Sequence, residues 1–417
     1  MIGIVGRQGR LSTLFSRLYT TTAASSSPSR YSVGYWGRVS RDYPVQWVPS
    51  VLNVDGRTHF DQQPTAVCGN YHSGVVVASE GGEGTLYLFG KDEAGRLGTN
   101  SADEGIPRPV EALRGCVLST SLGGLHSSAI VREGGGSEGT PCLYMWGHNG
   151  FGQLGFEDST LEKVPRPLRF ENLHPVEVVC GGSHTLVKVS NGDVVSFGRG
   201  DNGRLGVGNF ESYPFPVKVD TEDPCRRKRA SNNFISLSAG GFHSLAANDA
   251  GEVLSWGGGK NGELGRKSEM SGNDPYPNFI PSTLKGGLGR MKKVAAGGFH
   301  SALLTTDGDL YMFGLNKYGQ LGMEREEAVL TPTKLELDEK IADVALGSMH
   351  TVAITESGRL IGCGVNLMGE LAKGEKTEKI VNMTEIDITS LSEGELKAVS
   401  VSAGSNSTFV VVKEVEG

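Results

Sequence analysis

The chain has 417 residues and a net charge of −7, with 61 glycines, 17 prolines and six cysteines. Glycine at about twice its usual share, without a G-X-Y period, excludes collagen and points to many tight turns between short strands. The cysteines form no C-x-x-C pair, which excludes zinc ribbons and paired-thiol redox motifs and fits a reducing compartment.

Residues 1–41 hold Arg7, Arg10, Arg17, Arg30, Arg38 and Arg41 and no Asp or Glu. Leu11, Leu14, Phe15 and Leu18 fall on one helical face, with Arg10 and Arg17 beside it. An arginine-rich, Ser/Thr-rich, acid-free amphipathic start reads as an organelle transit peptide. The run Ser-Arg-Leu-Tyr-Thr at 16–20 resembles a mitochondrial processing site, with arginine three residues before the cut. We therefore expect residues 1–31 to be a presequence addressing the protein to the mitochondrial matrix. A chloroplast address is the alternative, because TTTAASSSPS at 20–29 would suit it. Four of the arginines lie in residues 1–30, so their removal takes the charge from −7 to −11. So acidic a body excludes wholesale coating of nucleic acid, where phosphate neutralisation needs excess Lys and Arg. No apolar run reaches the roughly 18 residues of a membrane helix, so no membrane span is expected.

After the leader comes YSVGYWGR at 31–38, a strand-like fragment that ends in an aromatic-Gly pair. Its counterparts recur down the chain as LFGKDEAGRLG, MWGHNGFGQLG, SFGRGDNGRLG, SWGGGKNGELG, MFGLNKYGQLG and GCGVNLMGELA. A second element, Gly-Gly-x-His-Ser/Thr followed by an apolar strand, stands at His72, His126, His184, His243, His300 and His350. A seventh copy, GSNSTFVVV, is read with Asn406 in the histidine slot. Successive copies lie 50 to 59 residues apart. Taken from its His strand, each unit gives four short strands. The first two meet at turns such as SNGD, NDAG, TDGD and ESGR, and a Pro-bearing segment such as VPRPL or YPFPV reads as an edge strand.

Units of this length with four strands and glycine turns predict propeller blades, and seven slots predict seven blades in residues 32–417. The last His-type strand has no aromatic-Gly partner downstream, whereas YWG at 35–37 precedes the first and is one too many. The all-β fold expected is therefore a seven-bladed β-propeller whose N-terminal strand closes the last blade. Closure of that kind leaves no unpaired sheet edge at the join.

The recurring GGxHS/T and WGxNxxGQLG elements resemble the regulator of chromosome condensation repeat family over about residues 32–413. The resemblance implies the propeller and leaves the activity open. The family's founding member is a nuclear guanine-nucleotide exchange factor for a Ran-type GTPase, with its exchange wedge in an expanded WGxNxxGQLG loop. Here that loop runs eight residues in six copies, 90–98, 147–155, 198–206, 257–265, 314–322 and 364–372, without insertion. A plant ultraviolet-B photoreceptor of the family needs Gly-Trp-Arg-His-Thr motifs, which this chain lacks. Organellar members resemble assembly or RNA-maturation factors for mitochondrial ribosomes or respiratory complex I. A non-enzymatic interaction platform of that type is the reading we carry forward, with exchange on a small or dynamin-like GTPase as the alternative.

No catalytic constellation stands out. The repeated histidines are read as structural, since seven-fold placement spreads them round a ring instead of converging ligands on one metal ion. Gly198-x-Gly200-x-x-Gly203 and Gly257-x-Gly259-x-x-Gly262 match a dinucleotide fingerprint in letters only, because neither opens a helix in a βαβ unit. No cofactor is expected. The connections 206–240 and 265–297 are longer than the others and carry Arg226, Arg227, Lys228, Arg229, and then Lys285, Arg290, Lys292 and Lys293. On adjacent inter-blade loops these eight would form a basic rim for RNA or a protein partner, while the acidic faces meet protein.

Overall fold

A computed structural model describes residues 30–38, 45–78, 84–99, 105–134, 139–220, 233–267, 272–281 and 287–415. The expected presequence lies outside the described residues, apart from its last two positions. Among the described residues, 28 strands fall into seven antiparallel runs of four. Two of the runs are joined into one eight-stranded sheet by the single pair Gly84↔Val117.

Within each run the order is the same. The inner strand precedes the Gly-Gly turn, then come the His strand, the aromatic-Gly strand and an outer strand. The inner strands are Thr65–Cys68, Val117–Leu122, Pro175–Cys180, Phe234–Ala239, Met291–Ala296, Ile341–Leu346 and Leu396–Ala403. Each touches the next, and the last touches the first, so they form a closed ring round a central channel. The repeat frame is thus displaced from the one read along the chain. The strand before each Gly-Gly belongs to the same sheet as the histidine that follows it.

The sheet of Leu396–Ala403 and Ser407–Glu414 takes its two outer strands, Tyr31–Gly37 and Gln46–Val51, from the other end of the chain. Tyr31–Gly37 pairs with Ser407–Glu414 without a register shift, from Tyr31↔Lys413 to Gly37↔Ser407. Gly37 shows why glycine ends this strand. Its φ is +90°, and a Cβ there would sit 2.3 Å from the Asn406 carbonyl oxygen.

Sheets pack face to face through apolar side chains, with Trp36, Trp146 and Trp256 fully buried. The turns after the aromatic-Gly strands lean on the outer strand of the next sheet. At Gly152 a Cβ would lie 2.2 Å from Pro214 Cα, so the contact requires glycine. Several prolines fall on the outer strands, as in Leu161–Leu168 and Tyr213–Lys218, where no further strand needs their missing N–H. Among the described residues no helix is long and apolar enough to cross a membrane.

Candidate functional site

The six repeated histidines are 0–1% exposed, and each bridges to the following sheet. His72 Nε2 lies 2.8 Å from Ser127 Oγ, and His126, His184, His243, His300 and His350 reach Thr185, Ser244, Ser301, Thr351 and Thr408 at 2.8–3.0 Å. Each hydroxyl in turn donates to a backbone carbonyl in the preceding sheet's turn, as Ser127 does to Arg96 at 2.7 Å and Thr408 to Glu370 at 2.9 Å. With its proton spent there, the hydroxyl oxygen can only accept from the imidazole. The histidines are therefore Nε2–H tautomers, and their Nδ1 atoms are buried without a hydrogen-bond partner among the described residues.

Burial drives these rings toward the neutral form, to about 3 for His126, His243 and His300 and about 4 for His350. His72 and His184 fall well below the ordinary value through burial and then the nearby Arg96 and Arg204 charges. Such residues hold sheets together and are shut off from solvent. Their partners are hydroxyls, and the histidines sit on the second strand of each sheet, one out from the channel.

The seventh slot needs a correction. Gly37 pairs with Ser407 just as Gly90 pairs with His72 and Gly364 with His350, so Ser407 occupies the histidine slot. Asn406 takes the preceding variable position, where its carbonyl accepts from Arg38 N at 2.6 Å. The slot lies one residue beyond Asn406 because Ser405, Asn406 and Ser407 are all small and polar and the histidine itself is absent.

The basic rim divides. Arg226, Arg227, Lys228, Arg229 and Lys285 lie outside the described residues. Arg290 sits at the end of the propeller that carries the hairpins between His and aromatic-Gly strands, its carbonyl accepting from Thr306 N at 2.9 Å. Lys292 and Lys293 are not on a loop. They belong to the inner strand Met291–Ala296, where Lys292 Nζ donates to the Ala342 carbonyl and Lys293 Nζ pairs with Asp343, both at 2.7 Å. The strand begins earlier than the lysine-rich run suggested, and a bulge between Met291 and Lys293 lets both side chains reach the neighbouring inner strand.

The opposite end holds what the basic-loop reading missed. Here the seven Gly-Gly type turns surround the channel mouth, a depression of about 700 Å³ also lined by Arg199, Arg204, Phe242 and Phe299. In every sheet the residue after the motif glycine donates its N–H to the variable residue before the His slot, as in Arg199 to Ser183 and Gly258 to Phe242, both at 2.9 Å. That bond sets the two turns side by side. Phe242 is 40% exposed and lies 5.3 Å, centroid to centroid, from Phe299, with the Arg204 guanidinium 5.1 Å from its own ring. Arg199 covers Phe151, itself 41% exposed, at 4.6 Å. Burial lowers the Arg204 pKa to about 10, so it stays cationic near neutral pH. The signal in the sequence was the variable letter of GGxH, aromatic only in GGFH, GGFH and GNYH. Among the described residues no group of three His, Cys, Asp or Glu is placed to hold a metal ion.

Comparison with known proteins agrees with this architecture. A model of the RCC1-like domain matches residues 85–416. The mitochondrial RCC1 domain-containing protein RUG3 of Arabidopsis thaliana is 29% identical over 364 residues, covering 79% of this chain and 76% of that protein. The crystal structure of human WBSCR16 superposes with a TM-score of 0.75 at 21% identity, over 94% of this chain and 100% of that one. Prp20p of Saccharomyces cerevisiae gives 0.74 at 19%, over 94% and 93%. At these identities both structures speak for the fold.

Proposed function

Since this chain belongs to the RCC1-like domain family, we propose that it is a non-enzymatic scaffold of the mitochondrial matrix, serving organellar RNA maturation or the assembly of ribosomes or respiratory complex I. The similarity to mitochondrial RUG3 supports the address, together with the arginine-rich, acid-free leader. The observation that carries the scaffold reading is the fate of the six histidines. The residues that recur most faithfully are consumed in bridging sheets, and what faces solvent is a set of turns suited to contact. Members of this fold act as regulators and binding platforms. Prp20p is described by its binding to Gsp1p and histones, and yeast RCC1 by its complex with Kap60.

In this reading the basic segments at 226–229 and 285–293 would meet RNA. Replacing Arg226, Arg227, Lys228, Arg229, Lys285 and Arg290 with Gln should weaken RNA binding and flatten its salt dependence, because fewer counterions are released. Equal affinity of both proteins at low and moderate salt would remove RNA from these segments. Guanine-nucleotide exchange is tested separately, by release of fluorescent GDP from a panel of organellar GTPases. A scaffold leaves those rates unchanged, whereas acceleration of one GTPase would replace the scaffold with a regulator.

A further inference from the structure

At the end that carries the Gly-Gly turns, the third residue after the motif glycine changes sign from sheet to sheet. In the His72 and His184 sheets it is Glu93 and Asp201, each ion-paired with the first residue of its own turn, Lys91 and Arg199, at 2.6 and 2.5 Å. In the His243 and His300 sheets the same position holds Lys260 and Lys317, and the first position holds Gly258 and Leu315. The former turns neutralise themselves, and the latter cannot. Lys260 and Lys317 are exposed, and neither has an ion pair among the described residues. Glu263, in the turn of Lys260, is buried and accepts from Asn261 N and Nδ2 at 2.8 and 2.7 Å. Glu326 lies near Lys317 but is paired with Lys379.

The same two sheets bring aromatic rings to the channel mouth. Phe242 and Phe299 hold the variable position of GGxH in neighbouring sheets, and their carbonyls accept from Gly258 N and Leu315 N at 2.9 Å, two residues before each lysine. The rings lie 5.3 Å apart, tilted by 37°. Phe242 is 40% exposed and is backed by the Arg204 guanidinium, 5.1 Å from its centroid and itself buried. Tyr318, partly exposed, follows Lys317, whose Nζ is 5.7 Å from its ring. Aromatic rings and unpaired lysines thus form one crescent on two adjacent turns.

Flat rings beside cations suit a run of unpaired bases on a phosphate backbone, because every base has a π-face to stack. A duplex keeps its bases stacked on one another and offers none to the rings. We infer that this crescent is a platform for single-stranded RNA, with bases stacked on Phe242, Phe299 and Tyr318 and phosphates at Lys260 and Lys317. The inference rests on the RNA side of the scaffold reading and adds a site separate from the basic segments at 226–229 and 285–293. Stacking makes this site tolerant of sequence. Its salt dependence is shallow, about 0.7 in log affinity per log salt for each lysine that meets a phosphate.

The test titrates the full chain with a fluorescent RNA of about eight nucleotides, its abasic counterpart and the same RNA in a duplex. The single strand should bind at least about tenfold tighter than either, and Phe242→Ala and Phe299→Ala should each weaken it about tenfold with melting unchanged. Lys260→Gln combined with Lys317→Gln, at exposed positions, should flatten the salt slope by about 1.4 and keep the preference over the abasic strand. Equal binding of the RNA and its abasic counterpart overturns the inference, as does equal binding by wild type and both phenylalanine variants. In mitochondria, a photo-crosslinking residue at position 242 should join RNA, and a crosslink to protein alone overturns the inference too. If only the Gln variant of the basic segments weakens RNA binding, this site falls and the RNA reading stands. If the strand does not bind at low salt, both fall.

Discussion

The closing sheet has two neighbours, and they hold it differently. Toward the His350 sheet the seam is fully linked. His350 bridges to Thr408 at 3.0 Å, and Thr408 Oγ1 and Trp36 Nε1 both donate to the Glu370 carbonyl, at 2.9 and 2.8 Å. Toward the His72 sheet the slot holds Ser407, too short to span the gap, and Ser73 Oγ is buried with no partner among the described residues. Phe89, like Phe197 and Phe313 in other sheets, stands where Trp36, Trp146 and Trp256 carry an indole N–H, and offers no donor. What remains is Ser402 Oγ accepting from Cys68 N at 3.0 Å and an apolar cluster round Phe409, stacked on Tyr35 and edge-on to Phe89. Among the described residues a histidine bridges six seams, and at the seventh a backbone-to-hydroxyl bond and apolar packing join the sheets.

The comparison is broken most severely by removing the clasp. A chain starting at residue 45 loses Tyr31–Gly37, exposing the edge of Ser407–Glu414 and the apolar faces that Val33 and Trp36 cover. Aggregation, or loss of the cooperative melt, is expected. A soluble product melting with the full chain would show that closure does not depend on this strand.

A milder break compares the seams residue by residue. His300→Ala removes the donor to Thr351 Oγ1, which keeps its own bond to the Gln320 carbonyl, and leaves a cavity, for a loss of about 2–4 kcal/mol, whereas Ser407→Ala should cost under about 1 kcal/mol. Denaturant melts of both variants test this, and equal losses would refute the contrast. The pH profile sharpens it. The histidines are neutral in the fold and titrate near 6.5 when unfolded, so their contribution is full above about pH 6.5 and is lost as pH falls toward 3–4. Each histidine adds up to about 1.4 kcal/mol per pH unit in that window, so His300→Asn should flatten the acid slope and Ser407→Ala should not.

Most of this was legible in the sequence, for a physical reason. A strand pairs by local pattern, so the surplus YWG and the partnerless final strand could be matched without coordinates. The seventh slot was misplaced because serine and asparagine are both small and polar, and only register against Gly37 separates Asn406 from Ser407. Lys292 and Lys293 read as a loop by their charge, and the bulge that seats both on the inner strand leaves no alternating pattern in the sequence. The crescent of Phe242 and Phe299 escaped notice because its members lie about 57 residues apart and meet only when the sheets stack.

Glu370 tests the strong seam with a smaller change. It fills the slot that Gln153 and Gln320 fill in two other turns, and its Oε2 accepts from Met368 N at 2.8 Å as Gln320 Oε1 accepts from Tyr318 N at 3.0 Å. Burial raises its pKa to about 7, so its carboxyl is favourable when protonated and costs stability as pH rises through 7. Glu370→Gln keeps the acceptor and removes the charge. It should raise stability by about 1–2 kcal/mol at pH 8 and change little at pH 5. A gain of equal size at both pH values would mean that the charge is not what the seam resists.

The smallest effect probes the weak seam directly. Ser407→His places the missing imidazole opposite Ser73, over Gly404, where the other six rings lie over the first glycine of their own turns, as His300 does over Gly297. The Ser73 hydroxyl is the acceptor the ring would find, so one bridge of ordinary strength, about 1 kcal/mol, should be added. The double variant Ser407→His with Ser73→Ala separates a bridge from mere filling of space. If the gain survives removal of the hydroxyl, packing supplied it. If it vanishes, the seventh seam has become like the other six. The repaired ring should then also lose stability more steeply below pH 6.5, by up to about 1.4 kcal/mol per unit, because it carries one more buried neutral histidine.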